Sequence, residues 1–227
     1  MRRKKERNKL IREDIEKELR EDWFKNHKAT LEKLSDDISV LKWREPGTSA
    51  YSVKYVFDYN QIYITGDLGS AILKIYDQID LKKVAKIDIG YFHKKITAID
   101  EEKWSFNEDV AIERLTQEIA QVNEEKAEYL GLDEDGTGIR DALSDEEEKN
   151  VNEYDEQIEM FNNMIDVARE CNSRNDWSCH IYENYIDDLS NYDSDFYEWI
   201  FDVGNEYPRS VQAYLIGLKM AYEQLNK

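Results

Sequence analysis

Cysteine, proline, glycine and histidine are all scarce in this 227-residue chain, which holds two, two, nine and three of them. Two cysteines, Cys171 and Cys179, do not make a disulfide framework. A bridge between them, eight residues apart, is geometrically open in a loop, and reduced thiols in the cytosol are the expected state. So few Gly and Pro leave few points at which the chain can turn, which favours long helices. Three histidines are too few for a supported Ser/His/Asp arrangement, and neither GxSxG nor HExxH occurs. No apolar run approaches the roughly 18 residues that cross a bilayer. The start Met1-Arg2-Arg3-Lys4-Lys5 is basic but runs into Ile11-Arg12-Glu13-Asp14 with no apolar stretch, so a secretory signal is not expected.

Positive charge is also missing from most of the chain. Residues 1–100 hold 21 Lys/Arg against 17 Asp/Glu, a net of +4, whereas residues 101–227 hold 10 against 33, a net of −23. A field of that sign repels nucleic acid and membrane surfaces and attracts basic protein surfaces. Disorder is excluded by the 27 aromatic residues and a hydrophobic fraction of 41%, because chains that cannot fold are poor in aromatics.

Periodicity predicts an α+β protein, predominantly helical, with a small antiparallel sheet over about residues 38–65. Ile11, Ile15, Leu19 and Trp23, followed by Leu31 and Leu34, predict one helix from about residue 5 to 34. Tyr51 to Phe57 is β-branched and aromatic, Asp58-Tyr59-Asn60-Gln61 reads as a tight connection, and Ile62 to Thr65 returns, which is a hairpin that residues 38–44 can extend. From Ser70 onward the reading is helical: Ser70 to Tyr76, a segment over 89–99, and a helix from about 108 to 130 capped by Asn107. Another opens on the capping box Ser144-Asp145-Glu146-Glu147, with Val151, Tyr154, Ile158, Phe161, Ile165 and Ala168 facing inward. Short helices at 179–190 and 194–203 follow, and Pro208 is placed to start a last one lined by Val211, Leu215, Leu218, Tyr222 and Leu225. A division into residues 1–130 and 131–227 is expected near Gly131–Gly138.

Site motifs are weak. Asp133, Asp135, Thr137, Gly138 and Asp141 fall at positions of a calcium loop, but Ser144 stands where the bidentate Glu belongs, so an acidic linker is the expected reading of residues 133–144. Cys171, Cys179 and His180 supply only one close ligand pair where zinc wants two, and free cysteines are expected. Gly66-Asp67-Leu68-Gly69-Ser70 sits where a phosphate-binding turn would, yet lacks the spacing for one, and Asp67 would repel a phosphate. No cofactor, metal or catalytic residue is assigned. The basic start, Arg2 to Lys9, reads as a solvated helix end or as attracted to the acidic half, and direct DNA binding is not expected.

The acidic helices carry the functional expectation. Carboxylates interleave with aromatics in Tyr182-Glu183-Asn184-Tyr185-Ile186-Asp187-Asp188 and in Tyr192-Asp193-Ser194-Asp195-Phe196-Tyr197-Glu198-Trp199. Carboxylates on rigid helices can imitate a phosphate backbone, with its charge every ~1.7 Å of duplex axis, and aromatics supply interface anchors. The competing reading is a soluble surface with no partner, although solubility asks for a net charge of only about 2–8.

Two stretches carry a resemblance: Trp43-Arg44-Glu45-Pro46-Gly47-Thr48-Ser49 through Gly66-Asp67-Leu68-Gly69, and Phe196-Tyr197-Glu198-Trp199-Ile200 through Ala213-Tyr214-Leu215-Ile216-Gly217-Leu218. Both resemble uncharacterised acidic proteins of phages and mobile elements of low-GC Gram-positive bacteria. The resemblance implies phage–host conflict in the bacterial cytoplasm, where small acidic anti-CRISPR proteins block defence nucleases. The expected function is therefore a non-enzymatic inhibitor that binds the basic nucleic-acid-binding surface of a host protein, a Cas nuclease first. The acidic helices at 144–159, where Glu153, Asp155, Glu156 and Glu159 spread around the polar faces, and at 183–202 make the contact in this reading. Glu146, Glu147, Glu148, Asp187, Asp188, Asp193, Asp195, Glu198 and Asp202 are the expected contact residues. The alternatives are a phage accessory enzyme or ligand-binding protein, with Tyr51, Tyr55, Tyr63 and Asp67 lining a pocket near the 51–70 hairpin, and an assembly protein that dimerises through residues 1–34.

Overall fold

In the computed structural model the residues described are 14–131 and 143–227. They show an α+β fold in two compact units, one from Met1–Lys103 with Tyr207–Lys227, the other from Trp104–Glu206. The expected boundary at residues 131–138 falls inside the second unit, for the most part outside the described residues.

The first unit is built on a six-stranded antiparallel meander, β1 (Lys28–Lys33), β2 (Ile38–Arg44), β3 (Val53–Asp58), β4 (Gln61–Gly66), β5 (Gly69–Lys74) and β6 (Ile96–Ile99), paired in sequence order. The sheet is twice as wide as the expected hairpin with one added strand, and three segments read as helical belong to it. Helix α1 spans residues 14–18 and the π-turn Leu19–Trp23, and stops there. Beyond it Ala29 N–H donates to the Gln224 side chain at 2.7 Å and β1 pairs with β2, so Leu31 and Leu34 lie exposed on an edge rather than on a helix face. Gly69–Lys74 is a strand because the two-residue turn Asp67-Leu68 returns the chain onto β4. Gly69 takes a left-handed φ of +100° there, and a Cβ on Gly66 would lie 2.0 Å from Ser52 O. Residues 89–99 divide: α3 (Ile89–Lys94), capped by Asp88, ends at Lys95, and Ile96–Ile99 pairs with β5.

One sheet face is apolar, with Leu41, Trp43, Val53, Tyr55, Phe57, Ile62, Ile64, Ala71 and Leu73 buried. Strand periodicity places these on one side. Helix α8 (Arg209–Leu225) covers it, with α1, α2 (Leu81–Val84) and α3 contributing to the same core. Tyr55 Oη donates to Tyr214 O at 2.9 Å and Tyr214 Oη to Leu68 O at 2.7 Å, which locks helix to sheet. The close approach requires a glycine: a Cβ on Gly217 would stand 2.7 Å from Tyr55 Oη. The expected inward residues Val211, Leu215 and Leu218 are buried, whereas Leu225 is exposed; Pro208 precedes the first helical residue.

The second unit is helical: α4 (Glu108–Leu130), α5 (Asp145–Glu170), α6 (Arg174–Asn184), α7 (Ile186–Tyr192) and two 3-10 turns, Phe196–Glu198 and Ile200–Asp202. The two longest helices start at their expected caps, Asn107 and Ser144, whereas α6 starts at Arg174, ahead of the expected residue 179, on a Ser173 cap not read from the sequence. Asn107 accepts from Val110 N–H, Ser144 and Glu147 close a capping box, and Ser173 accepts from Asp176 N–H. Residues 179–190 are divided at Tyr185, and 194–203 form 3-10 turns rather than a helix. Phe161, Ile165 and Ala168 of the expected inward row are buried with Leu115, Val122, Trp177, Leu189 and Ile200. Strands β7 (Ser105–Phe106) and β8 (Asn205–Glu206) pair the two ends of the unit.

This division sharpens the charge asymmetry. Trp104–Glu206 holds 6 Lys/Arg against 30 Asp/Glu, a net of −24; the rest holds 25 against 20, a net of +5, and the two sum to −19.

Candidate functional site

Two surfaces of the acidic unit can hold a ligand. The first is an open groove of about 580 Å³ between α5 and α7. Glu153, Glu156 and Glu159 line it from α5, where 3.6-residue periodicity brings them to one flank, and Asp188 lines it from the first turn of α7. Tyr185, Tyr192 and Met160 supply its apolar surface, and among the described residues no Lys or Arg lines it. Burial, then the carboxylates of Glu118, Glu125 and Asp193, push the Tyr192 hydroxyl up to about 12. Burial and Asp166 raise that of Tyr185. Both phenols therefore stay neutral donors at physiological pH. The groove can take a cationic side chain by charge and pack its stem on the aromatic rings.

The second surface is aromatic. Tyr182 on α6 and Tyr197 and Phe201 on the 3-10 turns face one another, with ring centroids 6.0 Å apart for Tyr182–Phe201 and 6.1 Å for Tyr197–Phe201, inclined at 31° and 29°. Tyr182 and Tyr197 are 63% and 53% exposed, too much for a core role. Buried Phe196 backs Tyr197 at 3.9 Å, and Trp177 Nε1–H donates to Ile200 O at 2.8 Å, fixing the turn from beneath. Glu183, Glu198 and Asp202 adjoin these aromatics in sequence. Exposed rings among carboxylates suit an arginine or lysine.

The nine expected contact acids do not form one face. Glu146 and Glu148 are exposed at the start of α5, whereas Glu147 turns back to accept from Ser144. Asp187 and Asp188 are exposed on α7, and only Asp188 enters the groove. Asp193 is used internally, accepting from Trp199 Nε1–H at 3.0 Å and from Asp195 N–H at 2.8 Å. Asp202 pairs with Arg174 at 3.0 Å and accepts from Asn205. Asp195 and Glu198 remain exposed. Glu153, Glu156 and Glu159 belong to the acidic stretch 144–159 expected to make the contact but not to the nine acids singled out from it; their spacing of three along α5 brings them to the groove that Asp188 also lines.

The residues named for the hairpin site are scattered. Tyr51 stacks on Trp23 at 4.6 Å and its N–H donates to Asp67 at 2.8 Å, so those two adjoin. Tyr55 is sealed in the core, and Tyr63 lies on the opposite sheet face, one register position away from Tyr55's partner Ile64. Cys171 is buried, Cys179 exposed, and both are free. The described residues include no group of three His, Cys, Asp or Glu able to hold a metal; most of the loop at 133–144 lies outside them. No described helix is long and apolar enough to cross a membrane. Comparison with family models, curated proteins and solved structures finds no match for the chain.

Proposed function

We propose that the protein is a non-enzymatic, phage-type anti-defence inhibitor whose acidic unit occupies the basic nucleic-acid-binding surface of a host nuclease, with a Cas nuclease the first target to test. The observation that carries this reading is the confinement of a net −24 to one compact unit that also exposes Tyr182 and Tyr197. Solubility needs far less charge, about 2–8 for a small domain, and does not need solvent-facing tyrosines.

Carboxylates bring a basic partner in quickly and set the salt dependence; the aromatic anchors hold it. The test is a pull-down from a bacterial lysate expressing CRISPR and other defence systems, washed at low and high salt. The expected catch is a nuclease that elutes with salt and whose DNA binding the protein blocks. Exchange of Tyr182 and Tyr197 for Ala should weaken a purified complex at least tenfold with its salt dependence kept. Charge reversal at Asp187, Asp188 and Glu198 should flatten that dependence. A complex insensitive to salt and to all five changes would sink the proposal.

A further inference from the structure

The face of the sheet that α8 does not cover has a composition unlike the rest of the molecule. Reading the register across the strands places Lys28 opposite Arg44, and Thr30, Lys42, Lys54, Thr65 and Ser70 in one row. The next row, two residues farther along each strand, is Glu32, Val40, Val56, Tyr63, Ile72 and Ala98. All members of the first row, with Lys28 and Arg44, are exposed, and Val40, Val56, Tyr63 and Ile72 are half-buried.

Lys28 faces Arg44, and Lys42 faces Lys54, directly across neighbouring strands. Like charges at such positions destabilise a sheet. None of the four makes an ion pair among the described residues, although the chain carries 50 acids. Among the described residues, nothing in the fold of this unit pairs with the cluster.

We infer that this face binds single-stranded nucleic acid, independently of sequence. Phosphates lie along the Lys28–Arg44 and Lys42–Lys54 pairs, and bases lie on the Val40–Val56–Tyr63–Ile72 row. A single strand offers a charged edge and a flat apolar edge side by side. The two rows present the same pair about 7 Å apart, two residues of strand rise. A duplex hides its base faces and so complements only the cationic row. Thr30, Thr65 and Ser70 add hydroxyl donors beside the cations. The whole-chain charge of −19 conceals the site because the acids are concentrated in the other unit. The site does not depend on the proposed inhibitor function, but it fits an inhibitor whose target already carries nucleic acid.

The experiment is fluorescence anisotropy of a labelled oligo-dT with the full chain over a range of low salt. Saturable binding is expected, with a log–log salt slope of about −0.7 per phosphate contact and so no steeper than about −3 for four cations. K42E/K54E should weaken binding at least tenfold and reduce the slope. The single change K42E sets a carboxylate across from Lys54, replacing a like-charge pair with an opposite-charge one. It should weaken binding too while keeping or raising the melting temperature, which separates loss of the site from loss of the fold. Tyr63→Ala should weaken binding with the slope unchanged. Failure to bind at low salt, equal binding of duplex, K42E/K54E binding as well as the parent, or a second copy of the protein taking the face (seen as a salt-sensitive dimer that K42E/K54E abolishes) would each overturn the inference.

Discussion

Buried polar side chains show most directly how individual residues respond to their surroundings. His27 and His93 are 2% and 4% exposed, and their Nε2 atoms lie 3.2 Å from Tyr51 O and 2.6 Å from Lys103 O. Burial, outweighing those carbonyls, holds both imidazoles below the ordinary 6.5. A base whose folded pKa is depressed is neutral in the native state, and the unfolded chain protonates first as pH falls. Stability from this source is therefore complete above pH 6.5 and declines as pH drops through 6.5 toward the lower folded values. Thermal melting should show a flat melting temperature from about pH 7 to 8 and a fall below about 6.5. His27→Gln, with the amide nitrogen on the Tyr51 carbonyl, should reduce that fall; an unchanged pH profile would show that His27 contributes nothing to it. The same residue scale explains the dispersed acids. Asp193 and Asp202 look like any surface carboxylate in sequence, and only their partners Trp199, Arg174 and Asn205 show that they hold turns in place.

Elements were legible where their signals are local. Asn107 and Ser144 cap helices because a side-chain oxygen reaches a backbone N–H only three residues on. Ser144→Ala removes one half of a capping box, and the expected loss is about 1 kcal/mol, read by denaturant unfolding; Ser144→Asp should keep most of it. Strands were legible only in part. Tyr51–Phe57 and Ile62–Thr65 announce themselves by β-branched and aromatic content, but Ala71-Ile72-Leu73 is an apolar run that suits helix or strand equally. Its conformation follows from Ile62 and Ile64 beside it on β4. Leu31 and Leu34 continued a helical spacing by coincidence, and pairing of β1 with β2 outweighed it. The α5–α7 groove was half legible: its acids lie in the two acidic stretches 144–159 and 183–202, but that Glu153, Glu156 and Glu159 share a groove with Asp188 depends on packing between helices far apart in the chain.

At the scale of the whole molecule, the acidic unit carries its charge against its own stability. Thirty acids with six bases in about a hundred residues repel one another over the roughly 8 Å that physiological salt leaves unscreened. Raising monovalent salt from about 20 mM to about 0.5 M should raise the melting temperature of this unit. The expected shift is several degrees, because about 1 kcal/mol corresponds to about 4–8 °C in a domain of this size. A melting temperature that falls or stays constant would mean the ion pairs Lys126–Asp155 and Arg174–Asp202 outweigh the repulsion.

By itself the sequence determined the α+β class, the helix starts at Asn107 and Ser144, and the sign and imbalance of the charge. Each depends on residue types or on interactions within one helical turn, so each is present in the unfolded chain. Tertiary structure alone decided that Gly69–Lys74 is a strand, that Lys42 faces Lys54, and that residues 104–206 gather the acids into one unit. Register and unit boundaries arise from pairings between residues far apart in the chain, such as Ser105 with Glu206. Those pairings have no energy until the chain is folded.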